Sequence, residues 1–175
     1  LTVTDDDTGS DTPVAEILVV DAEGALEDVL DDIQDIIDGG GLDPAAELAL
    51  QRTLYRIVGN PVDGGDGTDE NGALDHLALG NFNPALIMIR QAISYLLDAE
   101  AADASLDMTA AKVQLSLTAN SIVRGAIDDA YELADKPGEF KKIAAAEALL
   151  DDGNADLTAG DYLAALDDYI EAVRK

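Results

Sequence analysis

The sequence predicts a mainly α-helical protein, a bundle of about six to seven helices built from two related three-helix units, with a short N-terminal β-hairpin. From Ala22 onward the apolar residues recur with the helical period of about 3.6. The stretch GDYLAALDDYIEAV from Gly160 repeats GNFNPALIMIRQAI from Gly80 without a gap, at a spacing of 80 residues. Only residues 1–20 instead show the β-branched runs and turn residues of a hairpin.

The repeated stretch has a pattern that predicts a helix–turn–helix. We call it the helix-turn signature, L-x-x-G-[DN]-[YF]-x-x-A-L-x-x-x-x-x-A-[IV]. Its glycine is expected to end one helix in the left-handed conformation, and the Asn or Asp that follows is expected to cap the next helix. In the first copy Asn83 and Pro84 add a second candidate for a cap and first helical residue. The alanines permit close helix approach. The shared positions are Leu77/Leu157, Gly80/Gly160, Phe82/Tyr162, Ala85/Ala165, Leu86/Leu166 and Ala92/Ala172.

Two helical units, residues 22–100 and 107–175, follow from these patterns. The first is predicted to contain a helix over 22–38, a helix from Asp43–Pro44 to Gly59, a loop over 60–72, a short helix over 73–79 and the signature helix to about residue 99. The second is predicted to contain a helix over 108–135, whose apolar face runs from Met108 to Leu133, then a helix over 139–152 and the second signature. Residues 152–156 are interpreted as a helix end and turn.

Residues 1–20 resemble a known domain family. The phrase LTVTDDDTGSDT is similar to the last two strands of a PKD domain, an immunoglobulin-like sandwich of secreted and cell-surface proteins. The resemblance implies that residues 1–20 are the remnant of such a domain and that the rest of the sandwich lies upstream. Two other arrangements stay open, in which this segment packs on the helices or completes the sheet of another chain.

The helical part carries a second resemblance. Residues 146–172 resemble a single tetratricopeptide-type hairpin, with Gly153, Gly160, Tyr162, Ala165, Tyr169 and Ala172 at that repeat's spacings. Leu149 and Asp156 replace the aromatic residues of that pattern, and the spacing of 80 differs from the roughly 34 of a true array. The phrase is also similar to the Ala-rich FIMAH-type modules of multidomain secreted proteins. Both families imply interaction or spacing roles.

Composition excludes several classes of function. The chain has 37 acidic against 10 basic residues, a net charge of −27, which disfavours nucleic acids and anionic membrane surfaces as partners. Without cysteine it can form no disulfide and no thiolate site. No apolar run reaches the length of about 20 residues that a membrane span needs, so no membrane insertion is expected.

The sequence offers no catalytic constellation. Motifs for acyl transfer, phosphate binding and dinucleotide binding are missing, so we expect a protein that is not an enzyme. His76, the only histidine, is expected to be a surface or packing residue. No cofactor is indicated except calcium, for which the candidate ligands in two acidic turns are Asp5, Asp7, Asp63, Asp66 and Asp69.

Three functions fit these observations. The first is a non-enzymatic extracellular helical module of a larger surface or secreted protein, which serves attachment, spacing or assembly through contacts with other protein domains or subunits. The second is an accessory domain of a secreted hydrolase, which requires a catalytic domain in the same polypeptide. The third is a self-assembling filament or surface-layer subunit that uses residues 1–20 for sheet completion between chains. Light scattering separates the third from the others, because it requires homo-assembly.

Overall fold

The structure, a computed structural model, describes residues 22–59 and 71–175. The predicted helical bundle is confirmed, and the described residues form seven α-helices. Their bounds are α1 Ala22–Gly39, α2 Pro44–Val58, α3 Ala73–Ala78, α4 Phe82–Ala102, α5 Thr109–Leu133, α6 Pro137–Ala159 and α7 Tyr162–Val173. The predicted hairpin over residues 1–20 lies outside the described residues.

Local sequence signals set the start of α2. The Asp43 carboxylate accepts a hydrogen bond of 2.8 Å from the backbone N–H of Ala45. Pro44 occupies the first helical position. Its missing backbone N–H costs no hydrogen bond there, because the N–H groups of the first turn have no acceptor within the helix. The predicted start of this helix is therefore confirmed.

Both copies of the helix-turn signature form the predicted turn. Gly80 and Gly160 have φ angles of 68° and 81°, the left-handed region that glycine adopts without a steric penalty. In each turn the N–H of the next residue donates to the carbonyl five positions back, at 2.8 Å from Asn81 and 2.9 Å from Asp161. The Asp161 carboxylate caps α7 as predicted, whereas the Asn81 side chain makes no capping hydrogen bond at the start of α4, so the prediction is wrong for Asn81. The prediction that Asn83 caps α4 is also wrong, because Asn83 already lies in the first helical turn.

The two signature helices form the centre of the bundle. Helices α2 and α3 pack on α4, α6 packs on α7, and α4 and α7 contact each other. The signature alanines Ala85 and Ala165 are fully buried, as the close approach of helices requires. One continuous helix, α6, thus has the packing role in the second half of the chain that α2 and α3 share in the first.

The structure corrects the prediction for residues 152–156. Helix α6 continues through them to Ala159, so they form neither a helix end nor a turn. Gly153 is required for packing, because a Cβ atom there would stand only 2.5 Å from Cε1 of the buried Tyr169 ring. This glycine lets α7 approach α6.

One cluster of buried side chains draws on all seven described helices. Helix α5 contributes much of it, including Leu115, Ala119 and Val123, and it contacts α1, α4, α6 and α7. The predicted core face of this helix also included Leu133, and that part is wrong, since Leu133 is 83% exposed. The division into two helical domains stays a prediction.

Candidate functional site

An apolar groove opens at the C-terminal end of the bundle, between the end of α5, the start of α6 and the end of α7. We call it the C-terminal groove. It encloses about 380 Å³, and most of its surface comes from aliphatic side chains. Ile127, Ile143 and Ala172 are among the nearly buried side chains that line it, while Leu133 projects into solvent beside them. Its other lining residues are Ala126, Ala130, Ala134, Glu139, Lys142, Ala146, Val173 and Lys175.

The groove is open because the residues that face it are small. Ala126 and Ala130 lie on α5 and Ala146 lies on α6, at positions where larger aliphatic residues would fill the space between these helices. Beyond them α5 ends at Leu133, and the chain returns through Ala134 and a short turn into α6. The groove therefore keeps an apolar surface accessible, although apolar surface is normally buried.

The charge around the groove differs from that of the chain as a whole. The turn and first part of α6, KPGEFKK over residues 136–142, carry three lysines against one glutamate, and Arg174 and Lys175 end the chain shown. Half of the ten basic residues thus occur in these two short stretches. These two stretches are therefore basic segments of a strongly acidic chain, although Asp135, Glu139 and Glu171 pair with their lysines.

Ion pairing leaves Lys142 as the available cation of the groove. Glu139 is held by backbone N–H groups at the start of α6, chiefly that of Asp135 at 3.0 Å, and this contact lowers the pKa of its carboxyl. Lys175 donates to Glu171 at 2.6 Å. Within residues 22–59 and 71–175, Lys142 forms no ion pair. Its ammonium group can therefore meet an incoming carboxylate without first losing a partner.

The sequence-predicted calcium ligands are not tested by the structure. Asp5, Asp7, Asp63, Asp66 and Asp69 all lie outside the described residues. Among the residues that are described, no group of three or more acidic, histidine or cysteine side chains is placed to hold a metal ion.

His76 lies half-buried on α3. Its Nδ1 atom is buried and has no hydrogen-bond partner in the described part of the chain. No second histidine exists to extend it into a site, so the expected packing role stays the simplest interpretation.

The acidic face shared by α6 and α7 is a structural feature. Burial, followed by the charges of Asp156 and Asp152, raises the pKa of the Asp168 carboxyl.

A hydrogen-bond network also joins these two helices to α5. Asn154 accepts a hydrogen bond of 2.8 Å from the Tyr169 hydroxyl, and Asn120 of α5 donates to both residues. The network satisfies polar atoms that would otherwise be buried without partners, so it stabilises the packing of three helices.

Comparison with protein-family models, curated proteins and solved structures finds no match for this chain. None of the described helices is long and apolar enough to cross a membrane. The resemblances to PKD, FIMAH-type and tetratricopeptide modules therefore stay predictions from the sequence.

Sequence reasoning missed the C-terminal groove. Ala126, Ala130 and Leu133 were assigned to the apolar face of the long helix, and the lysines of the groove were counted only in the total charge. The available signal was the run KPGEFKK, an isolated basic stretch within an acidic chain that follows directly on Leu133. Such a reversal of charge beside an apolar residue is typical of an interaction surface.

Proposed function

We propose that this chain is a non-enzymatic helical module of a larger secreted or cell-surface protein, and that it serves attachment, spacing or assembly through protein–protein contacts. The C-terminal groove carries this proposal. It combines an accessible apolar surface with a polar rim, which is the composition of protein-binding surfaces.

Leu133 supports a protein-binding role of the groove. A leucine that is 83% exposed at a helix end contributes little to folding, whereas burial of its side chain by a partner would remove apolar area from water. Phe140 on α6 and Tyr131 on α5 do not line the groove, but their ring centroids are 6.3 Å apart and both rings are partly exposed on the same two helices. Aromatic residues of this kind often contribute strongly to protein interfaces.

The extracellular placement rests on the sequence. It is supported by the similarity of LTVTDDDTGSDT to the closing strands of PKD domains and by the FIMAH-like phrase in the helical part. The strong negative charge is compatible with a calcium-rich or salt-rich exterior, where carboxylates are screened or bridged.

Site-specific photo-cross-linking tests the proposal. A photoreactive phenylalanine analogue replaces Leu133 in one protein and Leu48, an exposed leucine near the opposite end of the bundle, in a matched control. In intact cells of the source organism we expect position 133 to cross-link a defined surface or secreted protein, and the purified partner to bind wild type more tightly than Leu133→Asp. Equal cross-linking from both positions, or no loss of affinity in Leu133→Asp, would contradict the proposal.

A further inference from the structure

We propose that the C-terminal groove receives an acidic amphipathic helix of a partner protein. This inference rests on the proposed function and adds the chemistry of the partner: a helix with aliphatic residues on one face and carboxylates along its flanks.

The charge of the rim selects an acidic partner. Lys142 lines the groove without an ion pair in the described part of the chain, and Lys141 beside it has none there either. The other cations of these stretches already have partners, since Lys136 pairs with Asp135 and Glu139, Lys175 pairs with Glu171 and Arg174 donates to Asn83. A chain of net charge −27 repels acidic segments elsewhere on its surface. An acidic partner is therefore directed to this end of the bundle, and a basic partner would be drawn to the rest of the molecule.

The backbone around the groove favours a helical partner. All of the elements that form it are helices, and the described residues contain only one isolated β-bridge, between Gly59 and Asn71. An extended peptide would thus find no strand edge with which to pair its backbone. A helix satisfies its own backbone hydrogen bonds and can place aliphatic side chains at positions i and i+4 into the groove.

A second copy of the chain is a poorer occupant. Leu48 and Tyr55 make the exposed apolar face of α2, but Arg52 lies between them along that face. This surface would bring an arginine toward Lys142, and like charges oppose each other across an interface. Helix α1 of a second copy is acidic but cannot insert into the groove, because its apolar residues Leu26, Val29 and Ile33 are buried in its own core.

Peptide titration of the full chain tests the inference. The probe is a synthetic helix of about 18 residues, or about five turns, with leucines at i, i+4 spacing and glutamates elsewhere. The matched control peptide has lysine in place of every glutamate. We expect calorimetry to show that the acidic peptide binds at least about tenfold more tightly than the basic peptide, and that added salt weakens this binding.

Two pairs of variants locate the binding. Lys142→Glu should weaken the acidic peptide roughly five- to tenfold, while Arg52→Glu, an equal change of charge on α2, should change its affinity less than about twofold. Leu133→Asp should weaken it by at least about tenfold, and Leu48→Asp, near the opposite end of the bundle, should leave it unchanged. All four substituted residues are surface residues, so each variant is expected to fold, which far-UV circular dichroism checks.

The outcomes separate this inference from the proposed function. Equal binding of acidic and basic peptides, both lost in Leu133→Asp, would overturn the inference and leave the groove as a protein-binding site. Binding of neither peptide would overturn the inference, and the proposed function would then depend on the cross-linking result. A dimer in light scattering that Leu133→Asp dissociates would assign the groove to a second copy. Dodecanoate binding that Lys142→Glu weakens, without peptide binding, would assign it to an anionic amphiphile. Either result would overturn the inference.

Discussion

Substitution of Gly153 by alanine should destabilise this protein, although glycine-to-alanine changes inside helices normally stabilise. The added Cβ would stand 2.5 Å from Cε1 and 2.8 Å from Cδ1 of Tyr169, where ordinary contact begins at 3.4 Å. The ring would have to move by about 0.9 Å, the difference between 3.4 and 2.5 Å. It cannot do so freely, because Tyr169 is fully buried and its hydroxyl is hydrogen-bonded to Asn154.

The magnitude follows from two opposing effects. Alanine in a helix interior is favoured over glycine by about 1 kcal/mol. Overpacking of a well-packed core costs about 1–3 kcal/mol, and the upper half of that range applies because the ring is fixed at both ends. We therefore expect the free energy of unfolding to fall by about 1–2 kcal/mol, and Tm to fall by roughly 2–8 °C.

Thermal and urea unfolding of Gly153→Ala measures this loss, with Gly138→Ala as the matched control. Gly138 lies in the first turn of the same helix, and a Cβ there would meet nothing within 4 Å, so this change should be neutral or stabilising. In a Tyr169→Leu background the cost of Gly153→Ala should shrink by at least about 1 kcal/mol. A Gly153→Ala protein as stable as Gly138→Ala would refute the reasoning.

The remaining predictions concern buried polar groups, charge and calcium. Tyr169→Phe should lower the free energy of unfolding by about 1–2 kcal/mol, measured by urea unfolding, because Asn154 loses a buried partner. Lys112→Met should lower it by about 2 kcal/mol in the same assay, since it leaves the half-buried Glu100 without its ion pair of 2.6 Å. The raised pKa of Asp168 means that the folded state holds this proton more tightly than the unfolded chain, so its contribution to stability declines as the pH rises from the ordinary pKa through the raised one. Asp168→Asn should accordingly raise Tm at pH 7 and have little effect at pH 3, in thermal scans. If the acidic turns bind calcium, millimolar calcium should raise Tm relative to chelator, and no shift would contradict the predicted sites.

Each stability variant has an exposed counterpart in the chain. Tyr55→Phe, Lys136→Met and Asp151→Asn make the same chemical changes at surface positions, and surface changes usually stay within about 0.5 kcal/mol. If these surface variants change the free energy of unfolding or Tm as much as the buried variants do, burial does not determine the predicted changes in stability. High salt should also reduce the effect of Asp168→Asn at pH 7, because neighbouring carboxylates contribute to the raised pKa.

The helices and their turns could be predicted because their signals are local. Asp43 and Pro44 begin α2 through contacts within a few residues, and Gly80 and Gly160 end their helices through their own φ angles. The signature positions were correctly assigned to tight packing for the same reason. Residues 1–20 gave an equally local prediction of a hairpin, which lies outside the described residues.

The errors come from contacts between residues that are distant in sequence. Residues 152–156 were interpreted as a helix end and turn, because nothing near them in sequence shows that the Tyr169 ring lies against Gly153. Leu133 fits the apolar period of α5, and only the end of the bundle leaves it without a neighbouring helix to cover it. The C-terminal groove depends on three helix ends that meet in space, so the sequence offered only its run of lysines.

Methyl NMR of the full chain offers the most direct test of the claim that the C-terminal groove is the binding site. The acidic peptide is added to protein labelled at its Ile and Val methyl groups. The account predicts that signals of Ile127, Ile143 and Val173, which line the groove, shift with the peptide, while those of Ile33 and Ile57 in the buried core of α1 and α2 stay in place. Shifts that spare the three groove residues and appear elsewhere would contradict it.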